Sequence, residues 1–333
     1  MTQKSLHEFG MIKRLLAPLT LGVPGAFELK DDVAQLPHSA YGQVVTCDQI
    51  IEGTHFFPDD PLDLVAKHLV RRNLSDLIAK GCRPRGALLT LAWPKAWSLP
   101  RLALFIKGLG EDLAELGDHC PLYGGDTSQT SGPLVASLTL IGEPLAASHA
   151  PILRSGAKPG DHVYVTGVIG DAYLGLEGRL GKQSVNDLKA CQGFALAPLP
   201  TPLAMSAPIA HYAHASIDIS DGLLADAAHL ATNSRVRIEL ALDCIPLSSE
   251  ASQWVEKSDN RVDALLNLAT GGEDYQALMC VSAEQSEDFI NQAQRNGTRL
   301  SKVGQCWPGQ GLTISYLGQV IRLPKKMGWS VSF

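Results

Sequence analysis

Apolar positions along this chain switch between helical and strand spacing, and the switches predict a run of alternating elements. In SLHEFGMIKRLLAPL, Leu6, Phe9, Ile12 and Leu16 recur at helical spacing, predicting an amphipathic helix that stops near Pro18. Glycines and prolines then lead through LGVPGAFELKDDVA to a strand at 41–47. Asp60-Pro61 is a helix start, with Asp60 as cap and Pro61 at the first helical position. Leu62, Val65 and Leu69 give that helix its apolar stripe, and it runs through NLSDLIAK to a stop at Gly81, with Pro84 beyond. GALLTLAW reads as a buried strand and RLALFIKGLGEDLAELG as a second long helix. PLYGGD and PLVASLTLIG are strands on either side of a turn.

A turn-rich junction, SGAKPGD, opens the second half. The strand HVYVTG and the helix DAYLGLEGRLG follow, and the proline-rich ALAPLPTPLAMSAP reads as a loop before a helix. The strand SIDIS, the helix DGLLADAAHLATN and the strands RVRIELAL and YQALMCV come after it. Strands alternating with helices predict an α/β or α+β chain. Its length suggests two domains, placed at 1–148 and 149–333.

Composition narrows the partners. The net charge is −6 and the 28 basic residues form no long run, which argues against nucleic acid or an anionic membrane as the main partner. A bound cation can still reverse the local sign, so phosphate ligands stay open. The seven cysteines form no C-x-x-C pair, so neither a zinc ribbon nor a short disulfide framework is visible. No stretch approaches ~18 consecutive apolar residues, and the first residues lack a hydrophobic signal core. A reduced, cytoplasmic enzyme is expected.

Six acidic stretches carry the candidate chemistry: KDDVA (30–34), TCD (46–48), NLSD (73–76), GGD (124–126), DISDG (218–222) and GGED (271–274). Several sit where a predicted strand meets glycines, which let a backbone approach a ligand closely. Asp48, Asp218 and Asp221 lie on or beside apolar strands, where an unpartnered charge costs several kcal/mol. Taken locally, Cys47, Glu52 and His55 around Asp48 leave zinc or a cysteine nucleophile open. Taken together, many aspartates with few histidines at ligand spacing point to Mg²⁺, which prefers oxygen and shares itself between carboxylates and substrate phosphates. Several such ions clamping a polyphosphate meet the electrostatic need of phosphoryl transfer. Structural readings stand beside these: a solvated turn for Asp31 and Asp32, a helix surface for Asp76, helix caps for Asp63 and Asp171, and glycine turns for Asp126 and Asp274. The P-loop, G-x-G-x-x-G, H-E-x-x-H and G-x-S-x-G signatures are absent from the sequence.

These stretches, in this order with HEF at 7–9, TCDQIIEGTHF, RSGAKPGDHVYVTGVIGDA, IDISDGLLAD, GGEDY and GW at 328–329, resemble the thiamine-monophosphate kinases of the aminoimidazole ribonucleotide synthetase superfamily. The resemblance spans nearly the whole chain. It implies ATP-dependent phosphorylation of thiamine phosphate to thiamine diphosphate. It also implies a homodimer joined through an N-terminal mixed sheet, with a C-terminal α/β domain behind it. On that resemblance Asp32, Thr46, Cys47, Asp48, Asp76, Asp126, Asp218 and Asp221 hold several Mg²⁺ ions, directly or through water. Gly125, Asp126, Arg154 and Ser220 contact ATP; His55 and Glu273 contact thiamine phosphate; Trp329 packs on its rings. Two positions depart from the family pattern. Lys30 replaces a glycine before the paired acids, and Cys47 replaces a hydroxyl residue. Sulfur suits softer ions, so position 47 would serve through its main-chain carbonyl. No covalent nucleophile or general base is expected, because the acceptor phosphate is itself the nucleophile. The competing readings are another enzyme of the superfamily, such as aminoimidazole ribonucleotide synthetase, or a non-enzymatic module that binds divalent cations.

Overall fold

The computed structural model describes residues 8–30, 34–40, 42–181 and 196–329. The chain divides into two units, one grouping residues up to Leu77 with Arg83–Pro144, the other grouping Ile78–Cys82 with the residues from Leu145 on.

The first unit opens with the helical segment predicted from periodicity, in three parts. Helix α1 (Glu8–Met11) passes into a π-turn at Ile12–Leu16 and a 3₁₀ turn at Ala17–Thr20. Pro18 lies at the start of the last turn rather than beyond the helix, where its missing N–H costs little. Strands β1 (Val44–Ile51), β2 (Cys82–Pro94), β3 (Leu122–Thr130) and β4 (Val135–Pro144) form a mixed sheet in the order β1-β4-β2-β3. β1 runs antiparallel to β4, and β3 parallel to β2.

Helices α2 (Leu62–Ala79) and α3 (Leu99–Glu115) pack side by side. Gly108 permits this, since a Cβ there would lie 2.2 Å from the Asp63 carbonyl oxygen. The predicted stripe Leu62, Val65 and Leu69 is buried, and the chain turns at Gly81 with φ +67°. Leu77 of α2 reaches Gly142 of β4, so the helices cover one face of the sheet. The opposite face carries alternate residues of β1: Val45, 65% exposed, with Cys47 and Gln49.

Two strands differ from expectation in a way that matters for the site. β1 continues to Ile51, so Asp48 lies inside the strand rather than at its end. β3 continues to Thr130, so Gly124, Gly125 and Asp126 are strand residues rather than a turn. Gly125 there serves close strand approach, since a Cβ would lie 1.7 Å from the Leu89 carbonyl oxygen.

The second unit is built on β5 (His162–Thr166), β6 (Ala213–Asp218), β7 (Arg237–Ala241), β8 (Ala277–Val281), β9 (Leu300–Trp307), β10 (Gly311–Tyr316) and β11 (Gln319–Ile321), ordered β11-β10-β7-β9-β5-β8-β6. Helices α4 (Asp171–Arg179), α5 (Ser206–Tyr212), α6 (Leu223–Ser234), α7 (Ser249–Glu256), α8 (Arg261–Thr270) and α9 (Ser286–Arg295) pack on it. Strand alternation divides the core. Val163, Val165, Leu278 and Ile217 join Leu224 and Leu230 of α6 and Leu268 of α8 in one cluster. Tyr164, Met279 and Val281 join Ile209 of α5 and Phe289 of α9 in another. Both faces are thus buried, which explains the near-continuous apolar runs of β5 and β8. Fold class is mixed α/β, as periodicity predicted. Among the described residues no helix is long and apolar enough to cross a membrane.

Candidate active site

In the first unit the site residues come from β1 and α2. Thr46 and Asp48 are two apart on β1 and so share a face, which looks onto α2. Asn73, fully buried, fixes the approach: its Oδ1 accepts from the Asp48 N–H at 3.1 Å, and its Nδ2 donates to the Leu69 carbonyl at 2.9 Å. The Thr46 hydroxyl donates to the Asp76 carboxylate. Asp48 and Asp76 therefore face each other. Burial, and then the charge of Asp76, push the Asp48 carboxyl above its usual range, while Arg72 and His68 oppose the rise.

Cys47 points the other way. Its thiol is exposed on the open face, 3.4 Å from the Ser137 hydroxyl. Gly125 sits on β3 opposite Leu89, and Asp126 follows it, exposed, accepting from the Ser128 hydroxyl at 3.3 Å. His55 lies in the turn after β1. Its Nδ1 accepts from the Ile51 N–H at 3.1 Å, which leaves the proton of the neutral imidazole on Nε2. Asp32 lies outside the described residues.

In the second unit three chain segments are laced together by backbone hydrogen bonds. β6 ends at Asp218, which is buried, and the loop to α6 follows. The Glu273 N–H donates to the Ser220 carbonyl at 2.8 Å, and the Tyr275 N–H to the Ile219 carbonyl at 2.8 Å. The Trp329 N–H donates to the Asp221 carbonyl at 2.9 Å. Asp218, Ser220, Asp221, Glu273 and Trp329 are thereby brought together. Trp329 is 58% exposed, with the Lys326 ammonium 5.6 Å from its ring centre. Arg154 is not among them. Its carbonyl accepts from the Ser234 hydroxyl at the far end of α6, a helix about 18 Å long at 1.5 Å per residue.

Two acids organise this cluster that sequence reading did not single out for that role. Asp226, in the first turn of α6, accepts from the N–H groups of Ser220, Asp221 and Gly222 at 3.1, 3.1 and 3.2 Å. Burial, and then the charge of Asp221, push its carboxyl up to about 7 despite those three donors. An acid four residues after a D-G turn, inside an otherwise apolar helix face, was the available signal. Asp274 accepts from the Gly170 N–H at 2.8 Å, and its other oxygen is buried without a hydrogen-bond partner among the described residues. Burial raises that carboxyl well above its usual range, and the charges of Asp171, Asp226 and Glu273 add to the rise.

A raised acid binds its proton in the folded state at pH values where the unfolded chain, near ~3.9, has lost it. Stability from Asp274 is therefore fully present below about pH 4 and declines as pH rises towards the folded value. Asp274→Asn keeps an acceptor for Gly170 without the ionisation. Its urea midpoint should be at least that of the parent at pH 7, with a flatter pH dependence above about pH 4.

Among the described residues no three His, Cys, Asp or Glu side chains stand close enough to hold a metal by themselves. Asp48 and Asp76 nevertheless fit a small hard cation. They are two facing carboxylates whose repulsion is relieved by positive charge, and Mg²⁺ commonly takes one or two carboxylates with phosphate and water completing its shell.

Comparison with known proteins accounts for the arrangement. The family described as AIR synthase related protein, N-terminal domain, matches residues 30–143, and the corresponding C-terminal domain family matches 158–316. A thiamine-monophosphate kinase of Caulobacter vibrioides is 40% identical over 323 residues, covering 97% of this chain and 90% of that protein. The chain belongs to the thiamine-monophosphate kinase family. Thiamine-monophosphate kinase from Stenotrophomonas maltophilia superposes with a TM-score of 0.80 at 31% identity, covering 96% of this chain and 99% of that one. AaThiL complexed with AMPPCP and TMP superposes with a TM-score of 0.72 at 29% identity, covering 96% and 99%.

Proposed function

We propose that this chain is a thiamine-monophosphate kinase, transferring the γ-phosphoryl group of ATP to the phosphate of thiamine phosphate to give thiamine diphosphate and ADP. The observation that carries this is 40% identity to a thiamine-monophosphate kinase across 97% of the chain. An oxygen of the acceptor phosphate forms the new bond to the γ-phosphorus, and the bond from that phosphorus to the ADP oxygen breaks. A phosphate monoester with its second pKa near ~6 is already largely dianionic at pH 7, so no side chain need remove a proton. What the protein must supply is alignment and relief of repulsion between two anions.

In this reading Asp48, Asp76, Asp126, Asp218 and Asp221 would hold Mg²⁺, with Asp32, the Thr46 hydroxyl and the Cys47 main-chain carbonyl as further oxygen donors. Bound Mg²⁺ neutralises the phosphate oxygens and orients them. On the family resemblance Gly125, Asp126 and Ser220 contact ATP, and Arg154 would have to reach it from the far end of α6. His55 contacts the acceptor, as does Glu273 beside Trp329. The face of Trp329 already takes a cation in Lys326, and a thiazolium ring is a cation of the same preference. The buried free thiols Cys82, Cys120, Cys280 and Cys306 suit a reducing compartment, in line with a cytoplasmic site.

The decisive assay incubates the protein with ATP, Mg²⁺ and thiamine phosphate and separates the products. Thiamine diphosphate should form in equal amount to ADP. No thiamine diphosphate above background sinks the proposal, and turnover of formylglycinamidine ribonucleotide instead would move the chain to the synthetase reading.

The homodimer is also part of this proposal. The open face of β1, with Val45, Cys47 and Gln49, is the surface by which two first units would pair. Val45→Glu should convert the protein to a monomer in sedimentation velocity without lowering its helix content. An unchanged sedimentation coefficient would place any dimer contact elsewhere.

A further inference from the structure

Helix α2 carries His68, Arg72 and Asp76 at intervals of four, so the three share one helix face. That face meets Thr46 and Asp48 of β1 through the Thr46 to Asp76 and Asp48 to Asn73 hydrogen bonds. Arg72 Nη2 stands 3.8 Å from Asp48 Oδ1, and the two side chains are only 18% and 29% exposed. Half-enclosed charges are screened far less than surface ones, so an Asp48–Asp76 pair without a cation nearby would repel strongly.

We propose that Arg72 is the built-in counter-ion of the Asp48–Asp76 pair, offsetting half of its charge when no divalent ion is bound and weakening the hold on that ion when it arrives. This rests on the metal reading of the pair given above. Two carboxylates carry −2, and the guanidinium reduces what an incoming ion meets to −1. Arginine keeps its proton throughout the working range, so the compensation is permanent. The pair is therefore held facing in the metal-free protein instead of splaying apart.

The test uses the full chain without nucleotide, with Mn²⁺ as probe, in calorimetric titration and in thermal unfolding with chelator. Arg72→Gln should bind Mn²⁺ about tenfold more tightly, a modest share of the Coulomb energy of a unit charge at this range. It should melt below the parent in chelator and recover as Mn²⁺ is added. Arg72→Met, which keeps the packed stem without the charge, should behave like Arg72→Gln, and Arg72→Lys like the parent. If Mn²⁺ binding is abolished by Asp48→Asn but unchanged or weaker in Arg72→Gln and Arg72→Met, the counter-ion role is overturned and the metal reading stands. If the parent shows no Mn²⁺ binding that Asp48→Asn removes, the metal reading falls and this inference with it.

Discussion

Asp48→Asn is expected to lower kcat/KM for thiamine phosphate on the order of 10³-fold, a loss of about 4 kcal/mol of transition-state stabilisation. The same substitution should leave the metal-free protein as stable as the parent, or more so. The hydrogen bond that fixes position 48 runs from its main-chain N–H to Asn73, and asparagine retains it. What the substitution removes is a carboxylate that burial and Asp76 already push towards its protonated form. Activity and stability should therefore part company: turnover collapses while the melting temperature in chelator holds or rises. Steady-state kinetics and thermal unfolding on one preparation decide it. Near-normal turnover would remove Asp48 from the metal site, and a lost fold would mean that the carboxylate is structural.

Gly125→Ala should cost about 3 kcal/mol or more of stability and abolish nucleotide binding. Gly125 has φ +151°, and a Cβ there would lie 1.7 Å from the Leu89 carbonyl oxygen and 2.7 Å from its carbon. Those atoms are backbone of the paired strand β2, so no side-chain rotation can relieve the overlap. Either β3 withdraws from β2, breaking the parallel ladder beside Asp126, or the backbone leaves this conformation. Both displace Asp126. A penalty of this size is a large fraction of the 5–15 kcal/mol that holds a typical domain together. Chemical denaturation and titration with a non-hydrolysable ATP analogue would measure the two effects. A variant with parent-like stability would show that the strands are not as tightly joined as described. Gly124→Ala is the control: its Cβ would meet only the Leu88 side chain, at 3.6 Å, and should cost little.

Much of the architecture was legible from spacing alone, because helix and strand periods are properties of the local backbone. The stripe Leu62, Val65 and Leu69 and the stop at Gly81 appear as predicted. The runs of β5 and β8 are buried on both faces, as continuous apolar strands must be. Boundaries were less legible where glycine served packing rather than turning. Gly124 and Gly125 looked like the end of a strand, whereas β3 runs through them to Thr130. The orientation of Cys47 was within reach of the sequence. Strict alternation puts it opposite Thr46 and Asp48 once β1 is extended to Ile51.

By itself the sequence determined the element order of the first unit and part of the second, the mixed α/β class and six acidic stretches whose arrangement resembles one kinase family. It could not say which acids meet, because that is decided by register and by what lies across a sheet. Asp48 and Asp76 are 28 residues apart and face each other because Asn73 and the Thr46–Asp76 hydrogen bond pin β1 against α2. Asp274 read as a glycine-turn residue, and Asp226 drew no reading of its own. The fold instead spends them on backbone N–H groups, three for Asp226 and one for Asp274. Arg72 carried no reading of its own in the sequence. Tertiary structure half-encloses it beside an acid pair, and the field it exerts there depends on that enclosure.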